Sequence, residues 1–149
     1  MTKSSATVFV YPILGITPDS DLWAFRDKDE LMTCGKLTLS DDMQRDMELI
    51  AADGQSWRVT SVVRTGGVGL SLGLSCFLAG VSRIDHELEA RPLQTLVEVK
   101  HRVKACMEAR PDDWIWPDVD LPTRLAEVEG VVSIAGIHDV LGLDHFRAY

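Results

Sequence analysis

The chain has 149 residues, of which 46% are hydrophobic and 26% charged, a composition suited to a single globular domain. Fifteen Lys and Arg against 23 Asp and Glu leave a formal charge of −8. That balance excludes a general nucleic-acid binder, because neutralising phosphates needs clustered positive charge, and it argues equally against docking on anionic lipid. No apolar stretch is long and pure enough to cross a bilayer, and hydrophobicity is too high for a disordered chain.

Lys3 precedes the apolar run from Ala6 to Leu14, but Tyr11-Pro12 interrupts that run and no small-x-small cleavage site follows it. The segment therefore reads as a strand and not as a signal peptide. Thr7-Val8-Phe9-Val10 is β-branched and aromatic, and Pro12 suits an edge position. Pro18 to Asp21 predicts a turn. Leu22 to Phe25 and the region from Leu31 to Leu39 predict short strands, and Ser40-Asp41-Asp42 predicts a capped helical turn before Met47.

Met47 to Ala52 predicts a strand that reverses at Asp53-Gly54, a dipeptide that tolerates the positive φ of a tight hairpin. The return strand Trp57 to Arg64 places Trp57, Val59 and Val63 on one face and Arg58, Thr60 and Arg64 on the other. Gly66-Gly67 suggests a second turn. After it Val68, Leu70, Leu72 and Leu74 alternate with Gly69, Ser71, Gly73 and Ser75. Residues 70–81 also fit one helical face, through Leu70, Leu74, Phe77, Leu78 and Val81. Two internal glycines, each costing a helix about 1 kcal/mol relative to alanine, favour the strand. Ile84, His86, Leu88 and Ala90 alternate with Asp85, Glu87, Glu89 and Arg91, completing an antiparallel meander.

From Pro92 the period changes to that of helices. Thr95-Leu96-Val97-Glu98 is a capping box, and Leu96, Val99, Val103 and Met107 line one face of a helix that Pro111 follows. Pro122-Thr123 opens a second helix that stops at Gly130. Ser133 caps a third carrying Ile134, Ile137 and Leu141, with Gly142 as left-handed terminator and Leu143 packing back. Strands first and helices last predict an α+β fold, an antiparallel β-sheet meander with C-terminal helices packed on one face.

Few motifs carry chemistry. Gly69-Leu70-Ser71-Leu72-Gly73 matches the G-x-S-x-G of a nucleophile elbow, with Asp118 or Asp120 and His138 or His145 downstream. An elbow needs a parallel strand before it and a helix after it, and Ser71 reads as part of an antiparallel strand. A serine hydrolase using Ser71 with His138 or His145 is therefore the alternative reading. Gly67, Gly69 and Gly73 imitate a dinucleotide-binding loop without its βαβ setting. The four histidines and three cysteines show no metal-ligand spacing, and Asp112, Asp113, Asp118 and Asp120 lack the calcium-loop pattern. No cofactor and no metal are expected. Cys34, Cys76 and Cys106 are odd in number and widely spaced, which suits free thiols in a reducing cytoplasm. His86 falls on an inward strand face, where a satisfied core hydrogen bond is expected.

The most unusual stretch is Asp112 to Asp120, where Trp114 and Trp116 stand among four aspartates. Either the indoles close the helical core and the aspartates are its wet rim, or a stiff loop presents aromatic anchors inside a negative field. The expected function is a non-catalytic acidic module that recognises a basic protein partner. Asp112, Asp113, Trp114, Trp116, Asp118 and Asp120 are its expected contacts. In size and charge the chain resembles bacterial toxin-neutralising immunity proteins, which mask cationic nuclease surfaces. A homo-oligomer built through an edge strand near Pro12 is a third possibility.

Overall fold

Polar reversals between apolar runs build the sheet. The structure, a computed structural model, describes residues 1–67, 82–115 and 117–143. Strand β1 (Thr2–Lys3) leads into a 3-10 turn, Ser4–Ala6. Strands β2 (Ile13–Ile16) and β3 (Leu22–Phe25) form a hairpin buried on both faces. As predicted, Pro18 to Asp21 makes the turn: Ser20 adopts a positive φ and Thr17 N donates to the Asp21 carbonyl.

Thr7 to Val10 is irregular and not the expected strand. Its alternation is real, with Phe9 buried and Val8 exposed, but its Val10 carbonyl reaches only the Ala52 N–H of a turn. Phe9 instead lays its ring against Trp57, edge to face at 4.8 Å. Between Leu31 and Leu39 only β4 (Thr33–Cys34) is extended, and helices α1 (Lys28–Leu31) and α2 (Lys36–Ser40) flank it. Asp27 starts α1 by accepting from Glu30 N, a cap that outweighs weak strand propensity. The helical turn therefore precedes Asp41-Asp42 and does not follow them. Left-handed Asp42 and Asp46 stop any helix before Met47.

Strand β5 (Glu48–Ile50) pairs with β6 (Ser56–Gly67) across residues 51–55, whose three-residue tip, Ala52-Asp53-Gly54, ends in Gly54 at φ +88°. Ala51 N–H donates to Gln55 O and Gly54 N–H to Ala51 O. The turn is thus one residue longer than the two-residue form, with glycine at its left-handed position. Strand β6 continues through Gly66 and Gly67, which pair with Arg83 and Ser82 of β7 (Ser82–Arg91) and make no turn. The 70–81 segment, strand or helix, lies outside the described residues.

Within β6 an extra residue between Val59 and Ser61 shifts the register against β7. A bulge of this kind reverses the inward parity beyond it. Val62 consequently packs on the core and Val63, expected inside with Val59, is 52% exposed. On β7, Ile84, His86 and Leu88 are buried as predicted, while Ala90 at the strand end is exposed.

The strands form one antiparallel sheet in the order β1-β7-β6-β5-β2-β3, with β4 also beside β7. Its two faces bury different clusters. Leu14, Ile16, Leu22, Ala24 and Ile50 face the C-terminal helices, whereas Ile13, Trp23, Phe25, Leu49, Val59 and Leu88 meet Phe9, Leu31 and Met47 on the other side.

Helix α3 (Leu96–Ala109) begins at Thr95, whose hydroxyl oxygen accepts from Glu98 N, and buries Val99, Val103, Cys106 and Met107. The Glu98 carboxylate accepts from the Thr95 hydroxyl, a variant of the expected box. Helix α4 (Leu121–Glu129) starts one residue earlier than expected, capped by Asp120. Helix α5 (Ile134–Leu141) is capped by Ser133 and closed by left-handed Gly142, and Leu143 joins the same cluster. Fully buried side chains such as Met107 and Ile137 contribute about 1.5–3 kcal/mol each through area removed from water. The fold is α+β, with an antiparallel sheet in the N-terminal two-thirds and helices at the C-terminus.

Candidate functional site

The stretch after α3 leaves the helix at Arg110, its C-cap, and passes through a 3-10 turn, Pro111–Asp113. Asp112 and Asp113 stand exposed on that turn. Arg110 Nε donates to Asp113 Oδ2 at 2.8 Å, and Arg110 Nη1 lies 3.7 Å from Asp19 Oδ2 in the β2–β3 turn. Asp19 accepts from the Thr17 hydroxyl at 2.5 Å, and that bond, above all, holds its carboxyl below the usual range, with Arg110 adding to it. Neighbouring Asp21 accepts from the Trp23 indole N–H at 3.1 Å. Two segments some ninety residues apart thus gather Asp19, Asp21 and Asp113 around Arg110, whose guanidinium feels Asp113, Asp21 and Asp19, while Asp112 stands exposed on the same 3-10 turn as Asp113. The pairs are exposed, so each contributes only about 0–1 kcal/mol, and what they organise is a negative field.

The six expected contacts separate here. Trp114 is only 3% exposed and belongs to the helical core cluster, its backbone N–H donating to the Pro111 carbonyl. A large indole in the same buried cluster as Met107 and Leu141 gains more from leaving water than from facing it, so Trp114 is a core plug and not an exposed anchor. The exposed apolar side chain of this turn is Ile115, at 51%. Trp116 lies outside the described residues. Asp118 is exposed. Asp120 is exposed too, but its carboxylate caps α4, accepting from Thr123 N at 2.9 Å, and that bonding lowers its pKa. Sequence reasoning missed Asp19, Asp21 and Ile115. The first two read as turn formers, and nothing local showed that their turn meets Arg110.

The hydrolase candidates are not brought together within the described residues. Ser71 and His145 lie outside them, and His138 is buried on the inner side of α5.

A second polar cluster is buried. Ser4 Oγ lies 2.7 Å from Asp85 Oδ1, 2.9 Å from His86 Nδ1 and 2.9 Å from His86 N, and His86 Nε2 meets Gln44 Oε1 at 2.5 Å. Ser5 adds its N–H to Asp85 Oδ1 and its hydroxyl to Oδ2. Burial raises the Asp85 pKa, but the Ser5 and Ser4 bonds overcome it and bring it to about 2. Burial lowers that of His86 to about 4, opposed only in part by the Asp85 charge. Although serine, histidine and aspartate meet here, the order is wrong for nucleophilic catalysis. In a triad the imidazole stands between the serine and the carboxylate; here Ser4 stands between Asp85 and His86, 1% exposed. The expectation of a satisfied inward His86 is met, and the cluster ties the N-terminus to β7.

Cys34, which is fully buried, has its thiol pushed up to about 11 by burial, and Cys106 is raised for the same reason, so both stay protonated near neutral pH. A depression of about 160 Å³ beside Cys34, Thr38 and Gln44 falls below the roughly 300 Å³ at which small-molecule pockets begin. Among the described residues no three His, Cys, Asp or Glu side chains are placed to hold a metal ion. No helix among them is long and apolar enough to cross a membrane. The chain matches no protein-family model, no curated protein and no solved structure.

Proposed function

We propose that this protein is a non-catalytic acidic module that recognises a basic protein partner, of the kind that toxin-neutralising immunity proteins exemplify by masking cationic nuclease surfaces. One observation carries the reading: the β2–β3 turn and the 3-10 turn bring Asp19, Asp21 and Asp113 around Arg110, with exposed Asp112 on the same 3-10 turn and exposed Ile115 two residues after Asp113 in the chain. With Asp118 nearby in sequence and −8 on the whole chain, such a surface repels anions and draws in a cationic protein. Ile115 then supplies apolar contact once the partner has docked, while Trp114 keeps the turn rigid from below. Steering of this kind raises the association rate and fades with salt, because exposed charges are screened beyond about 8–10 Å at physiological ionic strength.

The test is capture from an extract of the native cells with wild-type protein and with the Asp112→Asn, Asp113→Asn double variant. A strongly basic protein retained by the wild type, lost with added salt and lost from the variant, is the expected result. Retention of the same protein by both forms, or of no basic protein by either, refutes the proposal.

A further inference from the structure

We propose that residues 1–6 form an arm that acid releases, latched onto β7 by the Ser4 hydroxyl and freed when the buried His86 ring takes up a proton. The proton inventory of the cluster leads there. Ser4 has one hydroxyl hydrogen, and the charged Asp85 Oδ1 at 2.7 Å claims it, since a carboxylate is the strongest acceptor in reach. Ser4 Oγ is then left to accept from the His86 backbone N–H and from Nδ1, both at 2.9 Å, so Nδ1 carries the ring hydrogen. The far nitrogen, Nε2, meets the Gln44 amide, a group with a donor end and an acceptor end. By turning that amide, the cluster can bond a neutral or a charged ring. Hydrogen bonding therefore does not forbid the charged ring; burial does.

His86 is 1% exposed, beneath Ser4 at 1% and Gln44 at 2%. Ser4 is the lid that can move. The arm pairs with β7 only through Thr2↔Leu88 and Lys3↔Glu87, and Met1, Thr2 and Lys3 are exposed. Its remaining hold is the Ser4 and Ser5 bonding to Asp85 and His86, with two weak sulfur contacts, Ser4 Oγ to Met32 Sδ at 3.2 Å and the Thr60 hydroxyl to Met1 Sδ at 3.4 Å. Lifting it hydrates the Nδ1 edge of the ring and frees the backbone edge of β7 at Glu87 and Leu88.

Other charges do little to offset this. Asp85 is the charged group acting on the ring, and Cys34 from β4 stays a neutral thiol. In the turn that carries Gln44, Asp42 pairs with Arg45 and Asp46 with Arg58. On β6, Val62 stands opposite the ring and Arg64 is exposed, while Glu87 points to the other face of β7.

The sign follows from linkage. The docked ring resists protonation down to about pH 4, whereas a hydrated histidine protonates near 6.5. Above 6.5 neither state gains a proton and the arm stays docked. Between 6.5 and 4 it is chiefly the undocked state that gains one, which raises the undocked-to-docked ratio at pH 5 by about 20-fold over its value at pH 7. In the docked state Asp85 remains ionised throughout that window.

Hydrogen-exchange mass spectrometry at pH 7 and pH 5, corrected for intrinsic exchange, reads the opening of residues 1–8. In the wild type, opening is expected to rise by about 20-fold from pH 7 to pH 5 while the α3 peptide stays protected; in His86→Gln it is expected to lose its pH dependence. NMR titration of the wild-type imidazole supplies a reading independent of any variant. A ring that titrates at 6.5 or above, an arm equally protected at both pH values, or an unchanged pH response in His86→Gln each overturns the latch.

Discussion

Replacing Trp114 by alanine separates a core role from a contact role. The indole is 97% removed from solvent in the cluster that joins α3, α4 and α5 to the sheet. A tryptophan buries roughly 150–250 Å², so at about 25 cal/mol per Å² its transfer alone is of the order of 4–6 kcal/mol, less what alanine retains. Trp114→Ala is therefore expected to lose about 3–5 kcal/mol, in line with large-to-small changes in packed cores. Urea denaturation followed by far-UV circular dichroism measures it. With a slope near 2 kcal/mol/M for a chain of this size, the midpoint falls by about 2 M. Ile115→Ala, next in sequence but half in water, is expected to cost about 1 kcal/mol or less. A Trp114→Ala midpoint within 0.5 M of wild type, on the order of 1 kcal/mol, would show that the indole is not packed as described.

Gly15→Ala places a Cβ 2.8 Å from the Met47 sulfur and 3.3 Å from Phe25 and Trp23 in a central strand, and overpacking there is expected to cost about 1–3 kcal/mol by the same denaturation assay. Asp120→Ala removes the α4 cap, with an expected loss of about 1 kcal/mol; Asp112→Ala, an exposed carboxylate with no cap to lose, is expected to stay within about 0.5 kcal/mol. At pH 8 Cys34 stays protonated and buried, so iodoacetamide followed by peptide mapping is expected to leave it unmodified in the folded protein and to alkylate it in urea.

Where structure is dictated by near neighbours, the chain could be read directly. The Thr95 and Ser133 caps, the left-handed Gly142 and the Val99-Val103-Met107 stripe all depend on residues within a turn or two of one another, and each stands as expected. Where pairing partners decide, reading failed in specific ways. Gly66-Gly67 has strong turn propensity, yet pairing with Arg83 and Ser82 extends the strand through it. The alternation of Trp57, Val59 and Val63 is regular on paper, but the bulge after Val59 inserts one residue and sends Val63 outward. A bulge is a property of two strands together, so one strand's pattern does not announce it.

The same distinction governs the sites. Composition made the chain acidic, but a field depends on where charges meet. Asp19 and Asp113 meet because a hairpin turn and a helix end share Arg110, a contact no local pattern encodes. Trp114 shows the converse: a tryptophan among aspartates is compatible with display or with burial, and only the neighbouring apolar stripes of α3 and α5, which need a lid, decide for burial. The Ser4 and His86 cluster joins residues 82 positions apart. In sequence Ser4 is an ordinary polar residue near a terminus, and His86 one inward position on an alternating strand. Their meaning arises when β1 and the turn after it lie across β7, because a buried imidazole then acquires a cover that can lift. Proton-sensitive behaviour in this protein is thus a consequence of strand order, which brings the first residues to the edge of the seventh strand.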